Sequence, residues 1–98
     1  MSGKYVVNKQ EAAETFALQA FTWVLSGELS DAFLNATGAD HSQLGQLARD
    51  PVFLGAVLDF LMEDDARVIG FCDAVERPYL SVQEARSALP GGQLPYWT

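Results

Sequence analysis

The sequence predicts an all-α fold, a compact orthogonal bundle of five to six short helices around a central apolar helix. Apolar residues recur at helical spacing along most of the chain, helix start and stop signals separate the segments, and no segment alternates as a strand does. Ninety-eight residues, 49% of them hydrophobic, are enough for one core. We therefore predict a single domain over residues 1–98, with an N-terminal arm at 1–7 and an aromatic tail at 90–98.

The first predicted helix opens with a capping box, in which Asn8 is followed three residues later by Glu11, and it continues to about Ser26. Small and aromatic side chains form its predicted inward face: Ala13, Phe16, Ala17, Ala20, Phe21 and Val24. Polar side chains follow the opposite face. The pattern therefore indicates one helix with a wide apolar side.

Two shorter helices are expected next, one from about Glu28 to Thr37 and one from about Ser42 to Ala48. Gly38 is placed as the glycine that ends the earlier of the two. Its predicted inward face carries Leu29, Ala32, Phe33 and Ala36. Leu44 and Leu47 are expected on a common face of the later helix.

The segment from Pro51 to about Glu63 is apolar almost all the way round a helical cylinder. Asp50 is the expected cap, and proline suits the first helical position. A helix without a polar face must be surrounded by protein, so we predict that this is the central element and that Leu58 and Phe60 are deeply buried.

Asp64 or Asp65 is expected to cap a fifth helix that continues to about Val75. Its predicted inward face comprises Val68, Ile69, Phe71, Cys72 and Val75. Pro78 ends that stretch. Ser81 with Glu84 then predicts a second capping box, which opens a last helix to about Leu89, and Pro90-Gly91-Gly92 stops it.

Several of these segments together resemble a family of small proteobacterial proteins classed as a domain of unknown function. The likeness extends over nearly the whole chain from about Glu11 and depends on residues 50–54, 57–61, 64–65, 71–74, 88–92 and 97–98. It implies a bacterial, cytoplasmic, helical domain with no assigned activity, cofactor or partner. The chain departs from the family pattern at Glu76-Arg77, where a glycine and an apolar residue are expected before Pro78.

The charge of the chain argues against nucleic acid and against anionic membrane surfaces as partners. Thirteen acidic residues outnumber six basic ones, giving a formal charge of −7, which repels phosphate groups. The basic residues are spread singly along the sequence: Lys4, Lys9, Arg49, Arg67, Arg77 and Arg86. No apolar run is long enough to span a membrane, and the first residues lack a signal-peptide core, so we expect a cytoplasmic protein.

We expect no enzymatic activity, no cofactor and no metal. Cys72 is predicted in the core, where a thiol is unreactive, and His41 in an exposed loop. Asp59 and Glu63 share a helix face, but without further ligands they are expected mainly to repel each other. Capping accounts for the acidic residues that follow them.

The expected function is a small cytoplasmic protein-interaction or regulatory module, with a protein partner or self-association. Leu94, Tyr96 and Trp97 are the candidate partner-binding residues, because exposed aromatic side chains anchor interfaces. The same three side chains are also suited to fold back onto the core. The alternative function is a helical domain that binds a small apolar ligand in a cavity beside the central helix, which a well-formed pocket would favour.

Overall fold

The computed structural model describes residues 9–90, and this part of the chain is an all-helical, compact bundle without a strand, as predicted. The helices are α1 (Lys9–Leu25), α2 (Ser30–Thr37), α3 (Leu44–Leu47), α4 (Pro51–Met62), α5 (Asp65–Val75) and α6 (Leu80–Ser87). A short 3₁₀ turn, His41–Gln43, precedes α3. The predicted Asn8 cap, the Gly91-Gly92 stop and the tail residues Leu94, Tyr96 and Trp97 lie outside the described residues. No described helix is both long and apolar enough to cross a membrane.

The long helix α1 buries the face that the sequence predicts. Its buried residues are Ala13, Phe16, Ala17, Ala20, Phe21 and Val24. Two of them, Ala17 and Ala20, are completely enclosed. Their small side chains let a neighbouring helix approach closely, and α1 packs against α2, α4 and α6.

The apolar helix α4 packs against α1, α5 and α6, which confirms its central position. Asp50 caps it by accepting a hydrogen bond from the Val52 backbone N–H at 3.0 Å, and proline occupies the first turn. Leu58 is fully enclosed and Phe60 is 3% exposed. Val52, however, is 58% exposed, so the protein surrounds most of this helix but not its first turn.

A cluster of aromatic rings fixes α1 and α2 against α4. Phe33 of α2 is fully buried and meets the Phe60 ring edge-on, with 5.2 Å between centroids. The same ring lies 5.8 Å from those of Phe21 and Phe53. Edge-to-face contacts of this kind add to the energy of apolar burial. Phe33 is therefore the main contact of α2 with the core.

The sequence predicts too much helix and too wide an inward face around α2. The helix begins at Ser30 rather than at Glu28, and Ala32 and Ala36 are exposed. Only Phe33 of this helix is buried, and Leu34 packs against the core while remaining partly exposed. Gly38 does end the helix in the left-handed conformation, with φ 73°. The third predicted helix divides into the 3₁₀ turn and α3, whose two leucines are half-buried.

Two predictions about the last helices are wrong. Ile69 is 42% exposed rather than inward, because the buried face of α5 is narrow and includes only Phe71 and Cys72. The predicted capping box at Ser81 and Glu84 does not start α6. The helix begins at Leu80, and the Ser81 N–H donates to the Pro78 carbonyl at 2.9 Å inside a turn that proline initiates. Ser81 itself is buried.

Candidate functional site: a groove between α1 and α6

The first two turns of α1 and the length of α6 border an open groove of about 580 Å³. Its volume lies within the range of ligand and peptide sites, but the groove opens to solvent rather than forming an internal cavity. The lining residues are Lys9, Ala12, Ala13, Phe16, Arg77, Ser81, Glu84, Ala85, Ser87 and Ala88.

The floor of the groove is apolar because small residues of the two helices face each other there. Ala13 and Ala85 are buried, and Phe16 is 4% exposed. The Phe16 ring cannot move easily, since it contacts the edge of Phe71 at 5.2 Å between centroids. Alanine side chains fill little space, which leaves the groove open above this floor.

Arg77 reaches the groove through an unusual turn after α5. Glu76 adopts a left-handed conformation, φ 56° and ψ 49°, which favours glycine. The Arg77 N–H then donates to the Cys72 carbonyl at 3.0 Å, the long-range bond of a Schellman motif. The Arg77 guanidinium carbon lies 4.9 Å from the Phe16 ring centroid. Arg77 thus packs its guanidinium on the Phe16 ring at the edge of the groove.

The groove brings together two cations that are far apart in the sequence, Lys9 and Arg77. Within residues 9–90 neither has a carboxylate partner. Glu84 is the one acidic residue that lines the groove, so the local formal charge is positive in a chain whose net charge is −7. An anionic group that approaches this surface therefore meets a favourable local field.

Two other arginines are committed to structural contacts. Arg86 of α6 forms a bidentate pair with Asp59 of α4, at 2.7 and 2.9 Å. Arg67 donates to the Phe60 carbonyl at 2.7 Å and lies 3.5 Å from Glu63. Asp59 and Glu63, which are expected from the sequence mainly to repel each other, therefore each have an arginine partner of their own.

The same Arg86 holds the chain where it leaves α6. Its Nη1 donates to the Pro90 carbonyl at 3.3 Å, and Leu89 beside it is 1% exposed. Gly55 makes room for this guanidinium, because a Cβ at Gly55 would lie 2.7 Å from Arg86 Nη1. The last described residue is thus fixed at the end of the helix that borders the groove.

The residues with nucleophilic or metal-binding potential do not come together at the groove. Cys72 is fully buried, and burial with the neighbouring Asp73 raises the pKa of its thiol, partly offset by Arg77. His41 is exposed in the 3₁₀ turn. In the described part of the chain no three histidine, cysteine or acidic side chains lie close enough to hold a metal ion.

A second, smaller hollow of about 370 Å³ lies at the other end of α1. It is lined by Trp23, Ser26, Gly27, Glu28 and Leu29. The Trp23 indole is half-buried and rests on α5 beside Gly70, where a Cβ would come within 3.2 Å of the ring. Among residues 9–90, no cation lines this hollow, which distinguishes it from the α1–α6 groove.

The sequence does not reveal the groove as a site. Its cations come from the start of α1 and from the turn after α5, and only the packing of α6 on α1 brings them together. One local signal is the Glu76-Arg77 pair, at which a departure from the family pattern is expected from the sequence. The candidate residues Leu94, Tyr96 and Trp97 belong to the eight residues that follow Pro90.

The chain belongs to a family described as "Protein of unknown function (DUF3572)", whose model matches residues 10–92. The match covers all six helices of the described structure except Lys9. No curated protein and no solved structure matches the chain.

Proposed function

Starting from its membership in that family, we propose that the protein is a small, cytoplasmic, bacterial interaction module that binds another protein through the groove between α1 and α6. The observation that supports this most directly is the pairing of an apolar floor with two cations that have no carboxylate partner among the described residues. An open groove of this kind suits a short segment of a partner protein.

The chemistry of the groove indicates what the partner segment carries. A large apolar side chain would pack between Ala13 and Ala85 and against Phe16, since all three leave space above them. A neighbouring carboxylate would lie near Lys9 and Arg77. The partner is therefore a segment that combines an aromatic or aliphatic anchor with an acidic residue.

A non-enzymatic role agrees with the state of the one cysteine. The raised pKa of Cys72 keeps its thiol protonated at neutral pH, and a protonated, buried thiol is a poor nucleophile. Neither Cys72 nor His41 lines the groove. The proposed function therefore needs binding alone, without a covalent step.

The test uses short peptides that contain one phenylalanine and one glutamate, with matched peptides that carry glutamine instead. We expect the acidic peptide to bind the full chain more tightly than its glutamine counterpart. Arg77→Gln should weaken binding of the acidic peptide about two- to fivefold, the effect of an exposed charge pair. Binding of the glutamine peptide should change little.

Arg49→Gln is the matched control, because it removes the same charge from an exposed residue outside the groove. It should leave both affinities unchanged. Equal losses for Arg77→Gln and Arg49→Gln would show that only net charge matters, and the groove would not be the binding surface. Denaturation curves of both variants check that the fold is retained.

A second candidate function is the binding of a small apolar acid in the same groove. The volume of about 580 Å³ favours it, since it is large enough for a drug-sized molecule. The groove is open to solvent, which favours a peptide over an enclosed small ligand. Titration with medium-chain fatty acids separates the two, because a ligand-binding domain would prefer them to the acidic peptide.

A further inference from the structure

The groove lies next to the point where the described chain ends. Ser87 and Ala88 line it, and Pro90 follows two residues later with its carbonyl held by Arg86. Residues 91–98 continue from this fixed position and carry Leu94, Tyr96 and Trp97. A segment rich in large apolar side chains therefore starts beside an apolar groove.

The length of this segment is sufficient to cover the groove. Eight residues reach roughly 26 Å when extended. The α1 side of the groove, from Lys9 to Phe16, rises only about 10 Å along the helix axis. Gly91 and Gly92 allow the chain to reverse direction after α6, and Pro95 disfavours a helical continuation.

The groove also complements these side chains chemically. Its small apolar residues leave room for aromatic rings, and its cations are suited to aromatic faces as well as to carboxylates. Arg77 already lies over one ring, that of Phe16. The tail contains no charged side chain, so no like charge opposes its approach to Lys9 and Arg77.

We propose that residues 91–98 bind in cis to the α1–α6 groove, with Tyr96 and Trp97 as anchors, and compete with the partner segment for it. This inference rests on the proposed function of the groove and adds its regulation. A partner must then displace the tail, which makes apparent affinity lower in the full chain than in a chain with a weakened tail.

The experiment compares the full chain with Trp97→Ala by ¹H–¹⁵N NMR, without any partner. The amide signals of Ala12, Ala85 and Ala88 should move, and the thermal midpoint should fall. Val52→Ala is the control: it removes another apolar side chain, one that is 58% exposed and outside the groove, and should leave those signals in place.

Three outcomes would overturn the inference. The groove signals and the midpoint could both be unchanged, the shifts could cluster at Trp23 and Leu29 instead, or dilution of the wild type could reproduce the effect of Trp97→Ala. The last result would place the tail in the groove of a second copy. Trp97→Ala should also bind the phenylalanine–glutamate peptide several-fold more tightly. Tail docking without peptide binding refutes the proposed function, whereas peptide binding without tail docking refutes only this inference.

Discussion

At the scale of single residues, Glu76 adopts a backbone conformation that costs free energy. A side chain in the left-handed region costs roughly 1–2 kcal/mol, which glycine would avoid. Glu76 adopts this conformation with φ 56°. The turn directs Arg77 onto Phe16 and into the groove. Among the residues that the structure describes, Glu76 is the one non-glycine residue with a positive φ.

Glu76→Gly should stabilise the protein by about 0.5–1 kcal/mol, because glycine tolerates the positive φ that the turn requires. Chemical denaturation measures the change. Glu76→Ala removes the same carboxylate and keeps the steric penalty, so it should show no such gain. If alanine stabilised the protein as much as glycine, the benefit would come from charge and the backbone would not be strained.

Cys72 provides a prediction about pH. Its folded-state pKa is raised above the ordinary thiol value, mainly by burial, so folding favours the protonated form. This contribution to stability is complete below the ordinary thiol pKa of about 8.5 and is lost as pH rises from there through the folded-state pKa. The denaturant midpoint of the wild type should therefore fall more steeply than that of Cys72→Ala above about pH 8.5.

Native-state alkylation gives an independent check of Cys72. The thiol should resist iodoacetamide at neutral pH and react once the protein is unfolded in denaturant. Rapid labelling of the folded protein would contradict its burial. Tyr79, whose pKa is raised by its hydrogen bond to Asp73, is present in both the wild type and Cys72→Ala. It therefore does not affect the comparison of their stabilities at high pH.

At the scale of elements, α4 tests how the core is organised. Phe60→Ala should cost about 3–5 kcal/mol, since it removes a buried ring that contacts Phe33 and supports the Arg67 guanidinium 4.0 Å above it. Val52→Ala is the control on the same helix, and its exposed side chain should contribute little, within about 0.5 kcal/mol. Similar losses for both variants in urea denaturation would mean that α4 is not the central helix.

The contact between α4 and α6 depends on the space that Gly55 leaves for Arg86. Gly55→Ala should destabilise the wild type, because the new Cβ displaces the guanidinium from Asp59 and Pro90. In an Arg86→Ala background the same change should stabilise the protein by about 0.5–1 kcal/mol, as alanine normally does within a helix. Denaturation of the four proteins measures this coupling. Equal effects of Gly55→Ala in both backgrounds would refute it.

At the scale of the whole molecule, the sequence predicts the features that depend on interactions between residues close together in the chain. The Asp50 and Asp64 caps, the Gly38 stop and the buried face of α1 all follow from residues within a few positions of one another. The start of α6 is misjudged even so, because Pro78 begins a turn before Ser81 can act as a cap. Local signals that compete are harder to rank than signals that stand alone.

Contacts between segments that are distant in the chain cannot be predicted from the sequence, for a physical reason. Nothing near Asp59 indicates that Arg86 will pair with it, and nothing near Lys9 points to Arg77. These pairs exist only because α6 packs against both α1 and α4. The candidate site is therefore a property of the assembled bundle, while its helices are properties of their own segments.

We propose that the groove between α1 and α6 is the binding surface of the protein. The most direct measurement is an NMR titration of the ¹⁵N-labelled full chain with the phenylalanine–glutamate peptide, which maps contact residue by residue. We predict saturable shifts at Lys9, Ala12, Arg77, Ala85 and Ala88, with little change around Trp23 and Leu29. Shifts confined to the Trp23 hollow, or none at all for either peptide or fatty acid, would contradict the claim.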